Sequence, residues 1–83
     1  MKVTIKYFAS IREAIGQGSE VRDTAVTTLA ALRDELLLAT PAHATSLARG
    51  RSVRMALNQV MSDEAALLSE GCEVAFFPPV TGG

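Results

Sequence analysis

Few side chains in this 83-residue sequence are of types that do chemistry, and none stands where it would work with another. His43 is the single histidine, with no acid or thiol at metal-ligand spacing. It reads as a structural or solvated loop residue, and no metal site is expected. Cys72 is the single cysteine, so it cannot close an internal disulfide. It follows a glycine at a turn, lacks an activating neighbour, and reads as an incidental small residue. Asp63 and Glu64 are adjacent and diverge on any regular element. Gly16-Gln17-Gly18 is too short for a phosphate loop, and it follows a helical segment rather than a strand. The reactive group that remains is the α-carboxylate of Gly83, where the sequence stops.

The residues leading to it, Phe76-Phe77-Pro78-Pro79-Val80-Thr81-Gly82-Gly83, have a physical logic. Pro78 and Pro79 donate no ladder hydrogen bond and hold φ at about −65°, so a strand reaching them must leave its sheet there. They also make the exit stiff and extended. Val80 and Thr81 carry the path on, and Gly82 and Gly83 make its end as thin as a polypeptide can be. Such a tail can thread a narrow channel and present its carboxylate to another protein's chemistry. Ordering it costs about 1–2 kcal/mol per residue, most for glycine, and the prolines lower that cost by pre-setting part of the path.

A tail of this kind needs a rigid root, and the composition supplies one small domain. A chain of this length has room for a single core. Apolar residues make up 48% of it, enough to fill that core, while charged residues at 20% suit a wet surface. The net charge of −1 argues against nucleic acid or an anionic membrane as a partner. Arg49, Arg51 and Arg54 cluster, and beyond them lie only acids: Asp63, Glu64, Glu70 and Glu73. That asymmetry reads either as an ordinary solvated surface or as an acidic C-terminal face that meets a basic partner. The N-terminus lacks a signal-peptide core, and no apolar run approaches the roughly 20 residues that span a bilayer. A cytoplasmic location is expected.

Periodicity gives the elements. In Lys2–Phe8, Val3, Ile5 and Tyr7 point one way while Lys2, Thr4, Lys6 and Phe8 point the other, which puts Phe8 on a wet face. Ser10 and Glu13 form a capping-box pattern for a short helix stopped at Gly16. A short strand is centred on Val21. Thr27 or Thr28 caps the main helix, whose Leu29, Leu32 and Leu36 form an apolar stripe, with Arg33, Asp34 and Glu35 off it and Pro41 as its stop. Residues 42–52 show no period and read as loop with one helical turn. Two strand pieces hinge at Asn58-Gln59, a helical turn closes at Gly71, and a final strand runs to Phe77. There Val74 and Phe76 face inward; Glu73, Ala75 and Phe77 face out. The order predicts an α+β fold, a mixed sheet with one main helix packed across it.

The stretches KVTIKYFASIREAIG, ALNQ and EVAFFPPVTGG resemble the family of small, sulfur-carrying subunits of molybdopterin synthase. The resemblance covers nearly the whole chain and is weakest over residues 40–52. Leu57 before Asn58 and the pair Gly71-Cys72 depart from the family pattern, both away from the tail. The family has a ubiquitin-like β-grasp fold, which implies a domain over residues 1–77 and a functional tail over 78–83. It implies that an E1-like activating enzyme uses ATP to adenylate Gly83, with no permanently bound cofactor. A sulfur donor, a sulfurtransferase or desulfurase, then replaces AMP and leaves a thiocarboxylate. The tail inserts into the large synthase subunit, in a heterotetramer, and sulfur passes to cyclic pyranopterin monophosphate to form molybdopterin. Phe8 and Phe77 would dock that partner, joined by Met61, which matches an apolar position of the family's partner surface. A sulfur carrier of the thiamine pathway, a ubiquitin-like modifier of target lysines and a plain interaction module remain as alternatives.

Overall fold

The computed structural model describes residues 1–79. The elements run β1 (Lys2–Tyr7), α1 (Ala9–Ile15), β2 (Ser19–Asp23), α2 (Leu29–Leu37), α3 (Pro41–Ser46), β3 (Arg54–Leu57), β4 (Val60–Ser62) and β5 (Glu73–Phe77). The five strands form one mixed sheet in the order β2-β1-β5-β3-β4. The first and last strands are neighbours at its centre and run parallel, while every other pairing is antiparallel.

The alternation in the first strand is observed: Val3, Ile5 and Tyr7 are buried, as are Val74 and Phe76 beside them on β5. The stripe of α2 supplies Leu29, Leu32 and Leu36, all 0% exposed, and these pack on the inner sheet face in a core shared with Leu47, Met55 and Leu68. Each buried leucine contributes about 1.5–3 kcal/mol of transfer free energy. Cys72 is a core residue, 3% exposed.

Thr28 is the N-cap of α2 and its Oγ1 accepts from the Ala31 amide at 3.1 Å. The next amides, of Leu29 and Ala30, donate to the Ala66 and Glu64 carbonyls at 3.1 and 3.0 Å. Those bonds explain why residues 63–71 do not form the expected helical turn. The segment satisfies the orphan donors at the start of α2 and is drawn out beside it. Gly71 does take a left-handed turn, at φ 75°. Asn58 and Gln59 also turn the chain left-handed, at φ 50° and 68°, which joins β3 to β4 in a two-residue hairpin.

Three further expectations change. The capping box at Ser10 and Glu13 does not form: α1 begins at Ala9, its N-cap is Phe8, and no side chain caps it. The Phe8 amide donates to the Phe76 carbonyl at 3.2 Å while its own carbonyl accepts from Ile11 and Arg12. Sheet pairing therefore starts the helix earlier than the cap pattern does. The stretch around residues 40–52 holds a whole short helix, α3, with Thr40 as N-cap and Pro41 in its first turn. Pro41 thus opens one helix instead of closing another, since α2 has already ended at Leu37.

Arg33 is the third. It is 5% exposed, with Nε donating to the Leu47 carbonyl at 2.7 Å, Nη2 to the Ala48 carbonyl at 2.7 Å and Nη1 to Glu64 at 3.0 Å. A planar fork of donors is the one side chain that can satisfy several carbonyls of an irregular loop at once. Arg33→Ala leaves those carbonyls without partners and is expected to lower stability by about 2–4 kcal/mol in urea unfolding, with Arg33→Lys intermediate.

A second polar cluster lies against Tyr7, which is 1% exposed. Its hydroxyl donates to Glu20 Oε2 at 3.2 Å and lies 3.1 Å from His43 Nε2. The phenol oxygen can then accept from an Nε2–H tautomer, leaving Nδ1 to accept from the Thr40 hydroxyl at 2.7 Å. His43 is accordingly structural, one of the two readings its sequence allowed, but it stands buried on α3 and not in a loop. Burial, reinforced by the Glu20 carboxylate, pushes the Tyr7 phenol well above its ordinary value. A phenol that ionises less readily when folded contributes stability that is intact below an unfolded pKa of about 10 and is lost as pH climbs beyond it. Tyr7 is the sole tyrosine and there is no tryptophan. Tyrosinate absorbance in an alkaline titration should therefore rise together with loss of circular dichroism. Ionisation of the intact fold near the ordinary value would refute this.

Candidate functional site

The register of the two central strands builds the site. Tyr7 pairs with Phe76 across β1 and β5, so both rings point into the core, where they stack with centroids 6.2 Å apart. The next residue of each strand must then point outward. Phe8 and Phe77 do so, and their rings stack at 4.7 Å with an interplanar angle of 14°. The chain turns abruptly after Phe8 because Ala9 takes a left-handed backbone, φ 51°. That conformation costs a non-glycine residue about 1–2 kcal/mol and lets α1 leave without pulling Phe8 off the outer face.

Across β3 and β4 the same face continues. Arg54 pairs with Phe77, Ala56 with Ala75, and Met61 with Ala56. The outer face thus carries one row of Lys6, Ala75, Ala56 and Met61, with Phe77 and Arg54 beside it. Ala75 and Ala56 point outward but are only 5% and 3% exposed, because small methyls lie flush between larger neighbours. They make a floor. Phe8 and Met61 stand proud of it at 40% and 56% exposure.

Phe8, Met61 and Phe77 line one open groove of ≈ 390 Å³, together with Arg54, Pro78 and Pro79. The structure therefore gathers the three candidate interface residues at the point where the chain leaves the sheet. β5 ends at Phe77, the residue before the prolines. Pro78 is half-buried and Pro79 exposed. The remaining candidate residues, Val80, Thr81, Gly82 and Gly83, lie outside the described residues. Sequence reasoning placed Ala75 on this face but missed Arg54 and Ala56, whose place there depends on cross-strand register. The alternation of Arg54 and Ala56 with Met55 and Leu57 was the available signal.

Residues 5–83 match the ThiS family. The chain belongs to that family. The curated relatives that this ThiS-family chain matches include the molybdopterin synthase sulfur carrier subunits of Escherichia coli (strain K12) and Mycobacterium tuberculosis. The first is 35% identical over 81 residues, 98% of this chain and 99% of the relative; the second is 35% identical over 85 residues, 100% and 99%. Among solved structures, SAMP1 from Haloferax volcanii superposes with a TM-score of 0.81 at 25% identity and full coverage of both chains. Subunit 1 or 2 of the molybdopterin-converting factor complex of Helicobacter pylori superposes with a TM-score of 0.72 at 24% identity, again over the whole of both chains. The fold is the ubiquitin-like β-grasp that the sequence resemblance implies. Among the described residues, no helix is long and apolar enough to cross a membrane.

Two adjacent phenylalanines thus have opposite environments, since Phe76 is 0% exposed and Phe77 stacks on the outer face. Phe76→Ala is expected to cost about 3–5 kcal/mol of stability. Phe8→Ala should cost no more than about 1 kcal/mol, the worth of a stacked aromatic pair. Chemical denaturation of both variants checks the contrast.

Proposed function

We propose that this chain is a sulfur carrier in molybdenum cofactor biosynthesis, working as the small subunit of molybdopterin synthase, with Gly83 as the carrying residue. The observation that carries this reading is the stacked Phe8–Phe77 pair at the root of a Pro-Pro-Val-Thr-Gly-Gly tail, in a chain 35% identical to sulfur carrier subunits over nearly its full length. The groove offers a partner an apolar seat, and the prolines beside it direct the tail toward that partner.

The chemistry follows from the poor electrophilicity of a carboxylate. An E1-like activating enzyme spends ATP to join the Gly83 carboxylate to AMP, releasing pyrophosphate. The outer sulfur of a persulfide on a sulfurtransferase or desulfurase then attacks the acyl carbon and AMP departs; a thiol cleaves the resulting acyl disulfide, becoming a disulfide with the donor and leaving a thiocarboxylate. That sulfur is soft and ionised near neutral pH, a good nucleophile. Inside the large subunit it attacks cyclic pyranopterin monophosphate, water cleaves the resulting thioester to return the Gly83 carboxylate, and two such transfers complete the dithiolene of molybdopterin. Partners, not side chains of this chain, supply the catalytic groups. All these steps belong in the cytoplasm, where ATP and reduced sulfur donors coexist. The Helicobacter pylori neighbour is described as a complex of subunits 1 and 2 of its converting factor, which supports pairing with a large subunit.

A protein-modifier role is the second reading, favoured by the likeness to SAMP1, a small archaeal modifier protein. Both begin with adenylation and differ in the acceptor. Intact mass spectrometry after incubation with activating enzyme, ATP and a sulfur source separates them. The carrier gains the mass of one oxygen replaced by sulfur, whereas the modifier yields isopeptide adducts on other proteins. Removing Gly82 and Gly83 should abolish the gain. Phe77→Asp should weaken binding to the large subunit by about 2 kcal/mol or more, roughly 30-fold in Kd, with the fold intact.

A further inference from the structure

Arginines, not the acids of the C-terminal stretch, line the hollows beside Pro78 and Pro79. The acids of the C-terminal stretch are engaged within the chain. Glu64 accepts from Arg33 and Arg49, Glu73 pairs with Lys6 at 3.3 Å, and Glu70 Oε2 accepts from the Lys2 amide. Asp63 accepts from the Ala65 amide at 2.9 Å. Among the described residues no ion pair or side-chain hydrogen bond engages Arg51 or Arg54, and both are exposed.

Their positions are specific. Arg54 lines the apolar groove with Phe8, Met61 and Phe77. Arg51 lines a smaller cavity of ≈ 150 Å³ with Ser10 and Ser46. The two cavities share Pro78 and Pro79, so each of the two hollows beside these prolines is lined by one arginine that has no side-chain partner among the described residues. A third groove beyond Met61 brings Asp63 onto the far side of Arg54, without an ion pair between them among the described residues.

We propose that the surface which receives this tail carries an apolar anchor seated between Phe77 and Met61 and a rim of carboxylates that meets Arg51 and Arg54. The inference rests on the docking reading above and specifies its partner: the acidic rim lies on the large subunit, around the mouth that admits the tail. A second copy of this chain is a poor occupant. A two-fold contact sets the same patch against itself, so a second copy brings its own Arg51 and Arg54 to that patch and their like charges repel. Unpaired cations at the edge of an apolar seat act mainly on encounter, drawing the partner's carboxylates into register before the apolar contact closes. Exposed ion pairs of this kind add little affinity once formed. Guanidinium suits the role because its planar fork meets a carboxylate with two parallel bonds.

The test is binding kinetics of the full-length chain with the large subunit at several salt concentrations. The double variant Arg51→Glu, Arg54→Glu should associate about tenfold more slowly at low salt, with dissociation little changed. Its association rate should also lose the fall with added salt that the unmodified chain shows. Arg51→Lys with Arg54→Lys should keep most of the rate, since charge is what steers. Circular dichroism of each variant confirms folding, which is expected because neither arginine contacts the core. Phe77→Asp, run alongside, keeps the two readings distinct. If Phe77→Asp abolishes binding while the charge reversal leaves the rate and its salt dependence unchanged, the acidic rim is overturned and the docking face stands. Faster association of the reversed variant overturns it too, in favour of a basic mouth. If Phe77→Asp also leaves binding unchanged, the docking face itself is lost, and the rim with it.

Discussion

The parallel pairing of β1 with β5 is the constraint on which everything else depends. It sets Tyr7 against Phe76, and side chains alternate along a strand, so the same register that buries one aromatic pair must expose the next. A slip of one residue would turn Phe77 into the core and Phe76 out to water. Because both strands are central, the register is held from both flanks, by β2 on one side and β3 on the other. It is held from the inner face too, by the leucines of α2.

That arrangement separates holding from reaching. Phe76 and Tyr7 anchor the end of the last strand in a core that cannot yield without a large loss. One residue later the chain meets an outward aromatic, and one residue after that two prolines that cannot extend the sheet. The chain therefore leaves the sheet at a rigid point. A carrier needs this, since a reactive chain end is useful only if the protein around it docks repeatably. The strained turn at Ala9 and the flush alanines of the sheet serve the same face.

The polar interior does quieter work. Arg33 ties the carbonyls of the loop after α3 to the turn at Glu64, and the Tyr7–His43–Glu20 cluster ties α3 to the sheet. Both clusters consume charges that the sequence leaves looking available. Glu64 serves two arginines at once. Among the described residues, the charges left without side-chain partners beside Pro78 and Pro79 are those of Arg51 and Arg54.

Much of this was legible in the residues. The alternation of Val3, Ile5 and Tyr7, the spacing of Leu29, Leu32 and Leu36, the hinge at Asn58-Gln59 and the Pro-Pro stop are local patterns, and local sterics and burial read them directly. So was the family, because the runs that carry the resemblance lie almost wholly within the residues 5–83 that match it. What tertiary structure alone decided was pairing. It placed Phe8 on Phe77, set Arg54 beside them, buried Arg33 against a loop, drew residues 63–71 out along α2 and moved the start of α1 ahead of its cap pattern. Each of these is a bond or contact between residues far apart in the chain. No local preference encodes such partners, since their energy exists only once the strands have closed on one another.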